Sequence, residues 1–369
     1  MKIALVILHD DVARGGAERY TRQLFDSLQA RGHQPTIVAG SSKTPESATV
    51  VGASGSTRSG QYRSFIEGVR KHLSANQYDH VHAMLPLPPG LATIYHPHAG
   101  VATAEQPRYT GKRLSWLMNP RRRLFAKLER QMLSADPPPV TLTLSQYVED
   151  QLRRDHPDAP AKRLFNGVDI DRFAPDGDRL SRKELGVAEG DTVMLFVGND
   201  PVRKGLTQAI GLIWNFERLH LVVAGRFDHE RGEKAFEDKP PYNQRISWLG
   251  PRDDVPSLYR SADFLVQLTR HDPCSLATLE ALACGLPVLS TRTNGATEVM
   301  TSGTHGQIVT AQSARQEIEA AVNAMLAPGF LDTARQACLA LRPQLSWETH
   351  VDRLIEIYDE SSQDRPRAG

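Results

Sequence analysis

Short runs of apolar residues alternate with amphipathic segments along the whole chain. The runs have the length of buried strands, and in order they read KIALVIL, PTIVAG, HVHAML, VTLTLS, TVMLFVG, LHLVVAG, ISWLG, DFLVQL and LPVLS. The segments between them have the apolar spacing of helices that bury one face, and strands that alternate with helices predict parallel sheets. Because the series stands on both sides of LFNGVDIDRFAPDGD, a stretch rich in turn residues, we predict two α/β domains joined near residues 165–180.

Length and composition agree with this picture. A chain of 369 residues exceeds the usual size of one core, and 40% hydrophobic with 24% charged residues is typical of globular proteins. No apolar stretch is long enough to span a membrane, and the apolar start lacks the cleavage site of a signal peptide. The cysteines Cys274, Cys284 and Cys338 have no metal-ligand spacing, which indicates reduced thiols, no metal site and a cytoplasmic protein.

The basic residues are concentrated in the first half of the chain. Residues 1–168 hold 22 Lys and Arg against 14 Asp and Glu, a net charge of +8, whereas residues 169–369 hold 22 against 29, a net charge of −7. Most of the excess lies in RYTGKRLSWLMNPRRRLFAKLER (108–130), where Pro120 divides two short helical pieces. Basic residues beside Trp, Leu and Phe are typical of a segment that binds an anionic lipid surface. The alternative is an ordinary amphipathic helix that packs on its own sheet.

The loops that follow the predicted strands are the places to look for a ligand, because open parallel sheets bind ligands outside the carboxyl ends of their strands. Gly15 and Gly16 follow the first strand and precede a helix, whose free amides suit an anion. They do not form the G-x-G-x-x-G dinucleotide fingerprint, and a simple turn would also explain them. Arg203 and Lys204 follow TVMLFVG at a helix start, where cations are unfavourable unless an anion such as a diphosphate is bound. A solvated basic loop is the alternative.

The stretch HDPCSLATLEALACGLPVLS (271–290) joins a strand-to-helix loop to a helix that contains an acid. Asp272 follows the strand DFLVQL, and the amides that open the helix come directly after it. Glu280 lies among apolar residues, where a buried carboxylate is costly unless a group hydrogen-bonds to it. Side chains lean towards the N-terminus of their helix, so Glu280 can reach the hydroxyls of a ribose or hexose seated on the helix end.

Taken in order, these motifs resemble those of the family-4 retaining glycosyltransferases, which have the GT-B fold of two Rossmann-like parallel-sheet domains facing across a cleft. The resemblance covers nearly the whole chain and depends on the Gly15-Gly16 loop, FNGVDIDRFAP, FVGNDPVRKG, VVAG, LGPRDDVPSLYRSADFLV and DPCSLATLEALACGLPVLSTRTNGATEV. The spacing in GNDPVRKG is most similar to the lipopolysaccharide-core glucosyltransferase branch. The resemblance implies an acceptor-binding domain over 1–168, a nucleotide-sugar-binding domain over 178–345, and a C-terminal helix in 346–369 that crosses back onto the first domain.

The resemblance also implies roles for individual residues of the second domain. Glu280 would hold the ribose hydroxyls, and Asp272, in place of the first Glu of the family, would contact the hydroxyls of the donor sugar. Arg203 and Lys204 would neutralise the diphosphate. The remaining donor-binding positions implied by the motifs are Gly15 and Gly16 closing over the diphosphate, the backbone amides of Cys274, Ser275 and Leu276, Arg252 at the base pocket, and Asn199, where many members carry Arg.

On the acceptor side, IYHPHAG offers a catalytic histidine near the anomeric carbon, with His98 the preferred candidate and His96 its rival. With Asp272, Arg203 and Lys204, this set implies retaining transfer of a hexose from a UDP-glucose-like donor to a glycan or glycolipid such as lipopolysaccharide core. No cofactor or metal is expected. Partners would be the donor, the acceptor and, through 108–130, the inner face of the cytoplasmic membrane, but not nucleic acid. The alternatives are a nucleotide-sugar 2-epimerase of the GT-B fold and a non-catalytic protein that binds an anionic surface.

Overall fold

The computed structural model describes residues 1–98, 100–103, 119–311 and 313–363. They form two compact units. The first contains Met1–Phe165 and the chain from His350 onward, and the second contains Asn166–Thr349. The domain bounds expected at residues 168 and 346 lie a few residues from these divisions.

The first unit is built on one parallel sheet. Its strands are β1 (Lys2–Asp10), β2 (Gln34–Ser42), β3 (Ala48–Val50), β4 (His80–Ala83), β5 (Ile94–Tyr95), β6 (Val140–Thr143) and β7 (Ala161–Arg163). They pair in the order β3-β2-β1-β4-β5-β6-β7. Its described helices are α1 (Gly16–Ala30), α2 (Arg58–Ala75), α3 (Pro120–Leu133) and α4 (Gln146–Asp155), with a 3₁₀ turn at Pro45–Ser47.

The central strand β1 shows why the apolar runs became strands. Residues 3–6 have no exposed surface, as expected for a parallel strand that is covered by helices on both faces and therefore reads as a continuous apolar run. Helix α1 buries Leu24 and Leu28 beside it. Helix α2 begins where the Thr57 side chain accepts a hydrogen bond from the Gly60 amide at 3.0 Å.

The second unit repeats the architecture. Its strands are β8 (Thr192–Val197), β9 (Leu219–Ala224), β10 (Ile246–Gly250), β11 (Phe264–Gln267), β12 (Val288–Thr291) and β13 (Gly306–Val309), paired in parallel in the order β10-β9-β8-β11-β12-β13. Its described helices are α5 (Arg182–Leu185), α6 (Leu206–Leu212), α7 (His229–Phe236), α8 (Tyr242–Arg245), α9 (Val255–Ser261), α10 (Leu276–Ala283), α11 (Arg315–Met325), α12 (Phe330–Ala340) and α13 (Arg342–Leu345), with a 3₁₀ turn at Gly295–Val299. The predicted α/β class with two parallel sheets is confirmed.

The last helix, α14 (Trp347–Gln363), begins in the second unit and continues in the first. Ser346 caps it by accepting a hydrogen bond from the Thr349 amide at 3.0 Å. Further along, the Tyr358 hydroxyl lies 2.6 Å from His82 Nδ1, and Tyr358 is fully buried. The expected return of the C-terminal helix to the first domain is therefore confirmed.

The Ser- and Gly-rich patch at residues 40–60 suggests a mobile loop, but it contains β3, which pairs with β2 from Ile37 to Ala39. Thr49 and Val50 are β-branched and fit an edge strand, and this local preference prevails over the turn-forming composition around them.

The described part of the chain contains no helix that is long and apolar enough to cross a membrane.

Candidate active site

The first element of the site in the second unit is the loop after β11, which pairs with the loop after β12. Asp272 lies between β11 and α10, and its backbone bridges the loop after β12, with its amide 2.9 Å from the Thr293 carbonyl and its carbonyl 2.9 Å from the Gly295 amide. The Asn294 side chain is completely buried and donates to Thr278 Oγ1 at 2.9 Å and to Ser290 Oγ at 3.0 Å. The position of Asp272 is thus fixed by its neighbours.

A cluster of two cations and one carboxylate forms at this loop. Asp272 Oδ2 accepts from Arg203 Nη1 at 3.0 Å and from Lys204 Nζ at 3.2 Å. Lys204 also donates to Gln267 Oε1 and to Ser275 Oγ, each at 3.2 Å. We call Arg203, Lys204 and Asp272 the charge cluster. The structure brings together three of the predicted catalytic residues at the carboxyl ends of the neighbouring strands β8 and β11.

The carboxylate of the charge cluster stays ionised. Burial by itself would raise the pKa of Asp272, but the charges and hydrogen bonds of Lys204 and Arg203 hold it below its ordinary value. Both cations contact Oδ2, and no described group hydrogen-bonds to Oδ1 of Asp272. One carboxylate oxygen therefore fixes the cations, while the other can accept a hydrogen bond from a ligand.

Two glycines in FVGNDPVRKG make room for this cluster. A Cβ atom on Gly198 would lie 2.4 Å from Lys204 Cδ, so the lysine stem passes where any other residue would have its side chain. Gly205 has a φ of +84°, and a Cβ atom there would lie 2.2 Å from the Leu268 carbonyl oxygen. Only glycine fits such a left-handed position against backbone. The spacing of the motif thus follows from the packing of Lys204 and the start of α6.

The start of α10 offers fewer free amides than expected. Ser275 is its N-cap, but the Ser275 amide already donates to Asn294 Oδ1 at 3.2 Å. Of the three amides implied by the resemblance, those of Cys274 and Leu276 remain candidates for a donor. The Cys274 carbonyl accepts from Asn166 Nδ2 at 3.2 Å, and burial raises the pKa of the Cys274 thiol to about 12, so this side chain is neutral.

Glu280 has a partner within the protein. The buried hydroxyl of Tyr259 in α9 lies 2.9 Å from Glu280 Oε2 and donates to it. This hydrogen bond explains how a carboxylate is tolerated among the apolar residues of α10. Glu280 is only partly buried, which is compatible with its expected role towards ribose hydroxyls.

Two residues that were predicted to bind the nucleotide-sugar donor, Asn199 and Arg252, instead contact other residues of the second unit. Asn199 is exposed, and its Oδ1 accepts from the Arg226 amide at 2.8 Å. Arg252 forms a two-pronged ion pair with Asp254, with Nε–Oδ1 and Nη2–Oδ2 distances of 2.8 and 2.5 Å. In the contacts described, neither residue joins the charge cluster.

The remaining predicted residues belong to the first unit. Gly15 is the N-cap of α1 and Gly16 its first residue. A Cβ atom on Gly15 would lie 3.2 Å from Glu18 Oε2, so an acid of the first turn folds back over this helix end. An anion at this helix end would require the Glu18 carboxylate to move away.

His96 and His98 lie in a cluster of aromatic and imidazole rings beside β4 and β5. His82 Nε2 is 3.2 Å from His96 Nδ1, and the rings of His96 and His98 are 4.0 Å apart. Tyr20 packs on His98 with ring centroids 4.2 Å apart, and its hydroxyl lies 2.9 Å from His350 Nε2. We call His82, His96, His98, His350, Tyr20 and Tyr358 the histidine cluster.

The two candidate histidines differ in their surroundings. His96 is completely buried and bonded to His82, whereas His98 keeps some exposed surface. Burial, with a smaller effect of His350, lowers the pKa of His98 to about 3, and burial holds the pKa of His96 well below its usual value. Both rings are neutral at neutral pH, and among the described residues neither Nε2 has a hydrogen-bond partner.

The basic segment 108–130 is described only from residue 119 onward, so Arg108, Lys112 and Arg113 lie outside the described residues. Asn119 caps α3 by accepting from the Arg122 amide at 3.2 Å, and Pro120 is its first residue, so the second of the two predicted helical pieces begins at Pro120.

The apolar side of α3 belongs to the core of the first unit. Leu128 is buried in that core, and Leu124 and Phe125 pack against it. The expectation that all three residues face lipid is therefore wrong, because Leu128 is buried in the core and Leu124 and Phe125 are partly buried against it. The exposed residues of α3 include Arg123, Lys127 and Arg130.

Several residues of the site were not predicted. Gln267, Asn294 and Tyr259 hold Lys204, the Asp272 loop and Glu280 respectively. Gln267 ends an otherwise apolar strand, and Asn294 stands in a turn-like TNG sequence. These two features are the sequence signals from which Gln267 and Asn294 could have been predicted. Tyr259 had none, because an aromatic residue in a helix usually indicates core.

Two family models match the chain, one over each half. The model described as Glycosyltransferase Family 4 matches residues 14–172, and the model described as Glycosyl transferases group 1 matches residues 178–337. Together with the fold and the charge cluster, these matches define the class: the chain belongs to the family-4 glycosyltransferases with the GT-B fold.

Named relatives refine the comparison. The chain is 24% identical over 319 residues to the lipopolysaccharide glucosyltransferase WaaG of Escherichia coli, which covers 82% of this chain and 84% of WaaG. It is 26% identical over 210 residues to the D-inositol 3-phosphate glycosyltransferase of Corynebacterium jeikeium. This alignment covers 53% of this chain and 50% of that protein. The chain thus spans about half the length of the D-inositol 3-phosphate glycosyltransferases among its curated relatives.

Solved structures show the same fold. The crystal structure of WaaG matches with a TM-score of 0.81 at 19% identity, over 96% of this chain and 99% of that chain. The structure of HepE from Anabaena in complex with UDP-glucose matches with a TM-score of 0.73 at 17% identity, over 98% of this chain and 100% of that chain. The predicted similarity to the lipopolysaccharide-core branch is confirmed at the level of family and fold.

Proposed function

We propose that this protein transfers a hexosyl group from a nucleotide diphosphate sugar to a hydroxyl of a glycan or glycolipid acceptor, with retention at the anomeric carbon. The observation that carries the proposal is the charge cluster, in which Arg203 and Lys204 are held at the carboxyl ends of β8 and β11 beside the start of α10. A diphosphate leaving group needs cations at that position.

The charge cluster supports a division of labour during transfer. The bond between the anomeric carbon and the diphosphate oxygen breaks with its electron pair going to the diphosphate, whose growing charge Arg203 and Lys204 stabilise. They already stand in place, so little reorganisation is needed. The acceptor oxygen attacks from the same face, and its proton passes to the leaving phosphate. We expect these cations to do this work without a metal.

Asp272 and Glu280 have binding roles in this scheme. Asp272 Oδ1 would accept a hydrogen bond from a donor-sugar hydroxyl, while Oδ2 keeps both cations in place. Glu280, held by Tyr259, would accept from the ribose hydroxyls. They are not the acid and base pair of a glycosidase. His98, neutral and partly exposed, is the acceptor-side candidate near the anomeric carbon, in preference to the buried His96.

The donor is proposed to resemble UDP-glucose, since HepE was solved with that molecule and WaaG is named a glucosyltransferase. The test is a panel of uridine, guanosine and adenosine diphosphate sugars, scored by thermal stabilisation of the purified protein. A ligand at about 100 times its Kd stabilises the native state by about 2.7 kcal/mol. Absence of stabilisation by every nucleotide sugar would contradict the proposal.

Turnover separates this reaction from the alternatives. NMR of the product formed with the stabilising donor should show the same anomeric configuration as the donor. An epimerised sugar nucleotide, formed without any acceptor, would instead indicate a 2-epimerase. Donor binding without any turnover across glycan and glycolipid acceptors would favour a non-catalytic binding protein.

We further propose that the protein associates reversibly with an anionic membrane surface, where a lipid-linked acceptor such as lipopolysaccharide core would be presented. The support is the exposed row of Arg123, Lys127 and Arg130 on α3. Each basic residue near such a surface contributes about 1 kcal/mol, so three give weak, salt-sensitive binding. Because the apolar side of α3 is used by the core, this part of the contact would be electrostatic.

Co-sedimentation with vesicles tests this association. Binding to anionic vesicles should fall with salt and with Arg123, Lys127 and Arg130 all changed to Glu. The matched control changes three exposed basic residues of α2 (Arg58, Arg63 and Lys71) to Glu. Equal losses in both triple variants, or equal binding to neutral and anionic vesicles, would reject α3 as the membrane contact.

A further inference from the structure

A cavity of about 520 Å³ opens in the first unit at the carboxyl ends of β4 and β5. Its lining includes the apolar side chains of Met84, Pro86, Tyr95 and Phe125 and the two basic side chains of Arg121 and Arg122. We call it the arginine cavity. All its described lining residues belong to the first unit, so it is distinct from the charge cluster of the second unit.

The wall of the arginine cavity is fixed by buried hydrogen bonds. Glu129 of α3 has no exposed surface and accepts from the Tyr95 hydroxyl at 2.6 Å and from the Ala102 and Thr103 amides at 2.9 and 2.6 Å. At another lining residue, the buried Tyr62 hydroxyl donates to the Pro86 carbonyl at 2.6 Å. A cavity whose wall is held in this way is ready for a ligand before the ligand arrives.

The charged side chains among the described lining residues of the arginine cavity are all positive. Its described lining includes two guanidinium groups and no Asp or Glu. Arg121 is held over the Phe125 ring with its guanidinium carbon 5.0 Å from the ring centroid, and both arginines are partly buried. They are the first residues after Pro120 of a 14-residue helix, whose N-terminal end adds partial positive charge. The burial of Arg122 lowers its pKa, which is the expected cost of a cation in such a place.

These features select the chemistry of the occupant. A bare sugar needs hydrogen-bonding groups around its ring, and the wall of Met84, Pro86 and Phe125 offers few side chains of that kind. Two guanidinium groups match a phosphate monoester in charge and in planar, two-pronged geometry. The apolar wall then suits the carbon atoms that carry the phosphate.

We infer that the arginine cavity binds a phosphate monoester group of the acceptor, so that the preferred acceptor is a phosphorylated one. The inference rests on the proposed glycosyl transfer, because it assigns the acceptor of that reaction. Arg121 and Arg122 bind the phosphate oxygens, and the wall that Glu129 and Tyr62 hold receives the adjoining carbon skeleton. The phosphate contributes to binding and orientation and takes no part in bond breaking.

The test uses phenyl phosphate as a probe, because it combines one phosphate monoester with one apolar ring. Its binding to the full-length protein is measured by calorimetry beside phenol, inorganic phosphate and UDP. The variants are Arg121→Gln with Arg122→Gln, and Lys204→Gln in the charge cluster. The matched control is Arg123→Gln, a neighbour on the same helix that is exposed and does not line the cavity. Circular dichroism confirms that each variant folds.

We expect phenyl phosphate to bind the wild type more tightly than phenol or inorganic phosphate. The double arginine variant should weaken it by about tenfold or more, as loss of charge-assisted hydrogen bonds implies. Arg123→Gln and Lys204→Gln should leave it unchanged, while UDP binding should fall only in Lys204→Gln. With a sugar-phosphate acceptor series, the double variant should raise KM for phosphorylated acceptors and leave KM for their dephosphorylated forms unchanged.

The outcomes separate this inference from the proposed function. If UDP binds but phenyl phosphate does not, or if the Arg123 control loses as much as the double variant, the arginine cavity is not a phosphate site. Loss of phenyl phosphate binding in Lys204→Gln would also overturn it, because the probe would then occupy the charge cluster. Failure of UDP to bind would instead contradict the donor assignment and leave the probe measurement to stand by itself.

Discussion

The histidine cluster of the first unit and the charge cluster of the second unit have opposite electrical characters. In the first unit, four buried or partly buried histidines and two tyrosines form a cluster that is uncharged at neutral pH, since burial lowers the pKa of each histidine in it. In the second unit, Arg203, Lys204 and Asp272 form a cluster that stays charged.

The comparison shows two ways to place polar groups beside a parallel sheet. Neutral rings can be buried at modest cost, and they join α14 to β4 through Tyr358 and His82 and to α1 through His350 and Tyr20. Charges are costly to bury, and the charge cluster holds Arg203, Lys204 and Asp272 as a mutually paired group at the end of the strands. A permanent charge cluster indicates a charged ligand, whereas a neutral cluster indicates support for structure or for neutral hydrogen bonding.

The largest expected effect is acid loss of stability in the first unit. Burial lowers the pKa of His350 from 6.5 to about 4, so the folded state binds its proton more weakly than the unfolded state. The contribution of His350 to the free energy of unfolding is therefore at its maximum above pH 6.5. It falls between pH 6.5 and about 4, by about 1.4 kcal/mol per pH unit for this one group. His82, His96 and His98 act in the same direction. Urea unfolding followed by hydrogen exchange should show the first unit opening earlier at pH 5 than at pH 7.5.

A variant isolates the contribution of His350. His350→Gln should be less stable at neutral pH but should lose stability less steeply below pH 6.5, whereas Lys71→Gln, at an exposed position of α2, should keep the wild-type slope. The charge cluster should lose stability in a more acidic pH range. Because the pKa of Asp272 is lowered in the folded state, its contribution to the free energy of unfolding falls only below about pH 3.8. Equal slopes for His350→Gln and the wild type would contradict the role of the histidine cluster.

The next effect concerns turnover. Lys204→Ala should lower the rate of transfer by about 10²- to 10³-fold, as removal of one preorganised group opposite a developing charge usually does. The exposed Lys183 of α5 provides the control, and Lys183→Ala should have no effect. Steady-state kinetics with the donor found in the panel is the measurement. A wild-type rate in Lys204→Ala would remove the charge cluster from the mechanism.

The smallest effect is expected at the support of Glu280. Tyr259→Phe removes the hydroxyl that donates to Glu280 Oε2 and should weaken donor binding by about fivefold, since such a hydrogen bond contributes about 1 kcal/mol. Glu280→Ala should weaken it more. Comparing UDP-glucose with its 2′-deoxyuridine analogue tests the ribose assignment, because the two donors should bind equally well to Glu280→Ala.

Much of the second unit could be predicted because its chemistry lies in short motifs at strand ends. Asp272, Arg203 and Lys204 follow neighbouring strands of a parallel sheet, so the topology itself brings them to one edge. The partners that orient them were harder to predict. Tyr259 and Asn294 reach Glu280 and the Asp272 loop through packing, and residue spacing alone does not encode that packing.

The first unit was less predictable for two physical reasons. The histidine cluster joins residues of β4, the loop after β5 and α14, so His82 and His350 meet only after the chain has folded. In α3, the apolar pattern of Leu124, Phe125 and Leu128 suits a lipid surface and a protein core equally well. An amphipathic pattern identifies an apolar side but not the surface that covers it.

The path of α14 has a consequence for how the protein is made. The first unit contains residues from both sides of the second unit in the sequence, since the chain from His350 onward completes it after the whole second unit has been translated. While the ribosome is still synthesising the second unit, the emerging N-terminal portion lacks Tyr358, so the pocket beside His82 is open and apolar surface is uncovered. That period of synthesis is when the nascent chain most needs a chaperone. A premature stop codon shortly before position 350 would therefore damage the half of the protein that was made first.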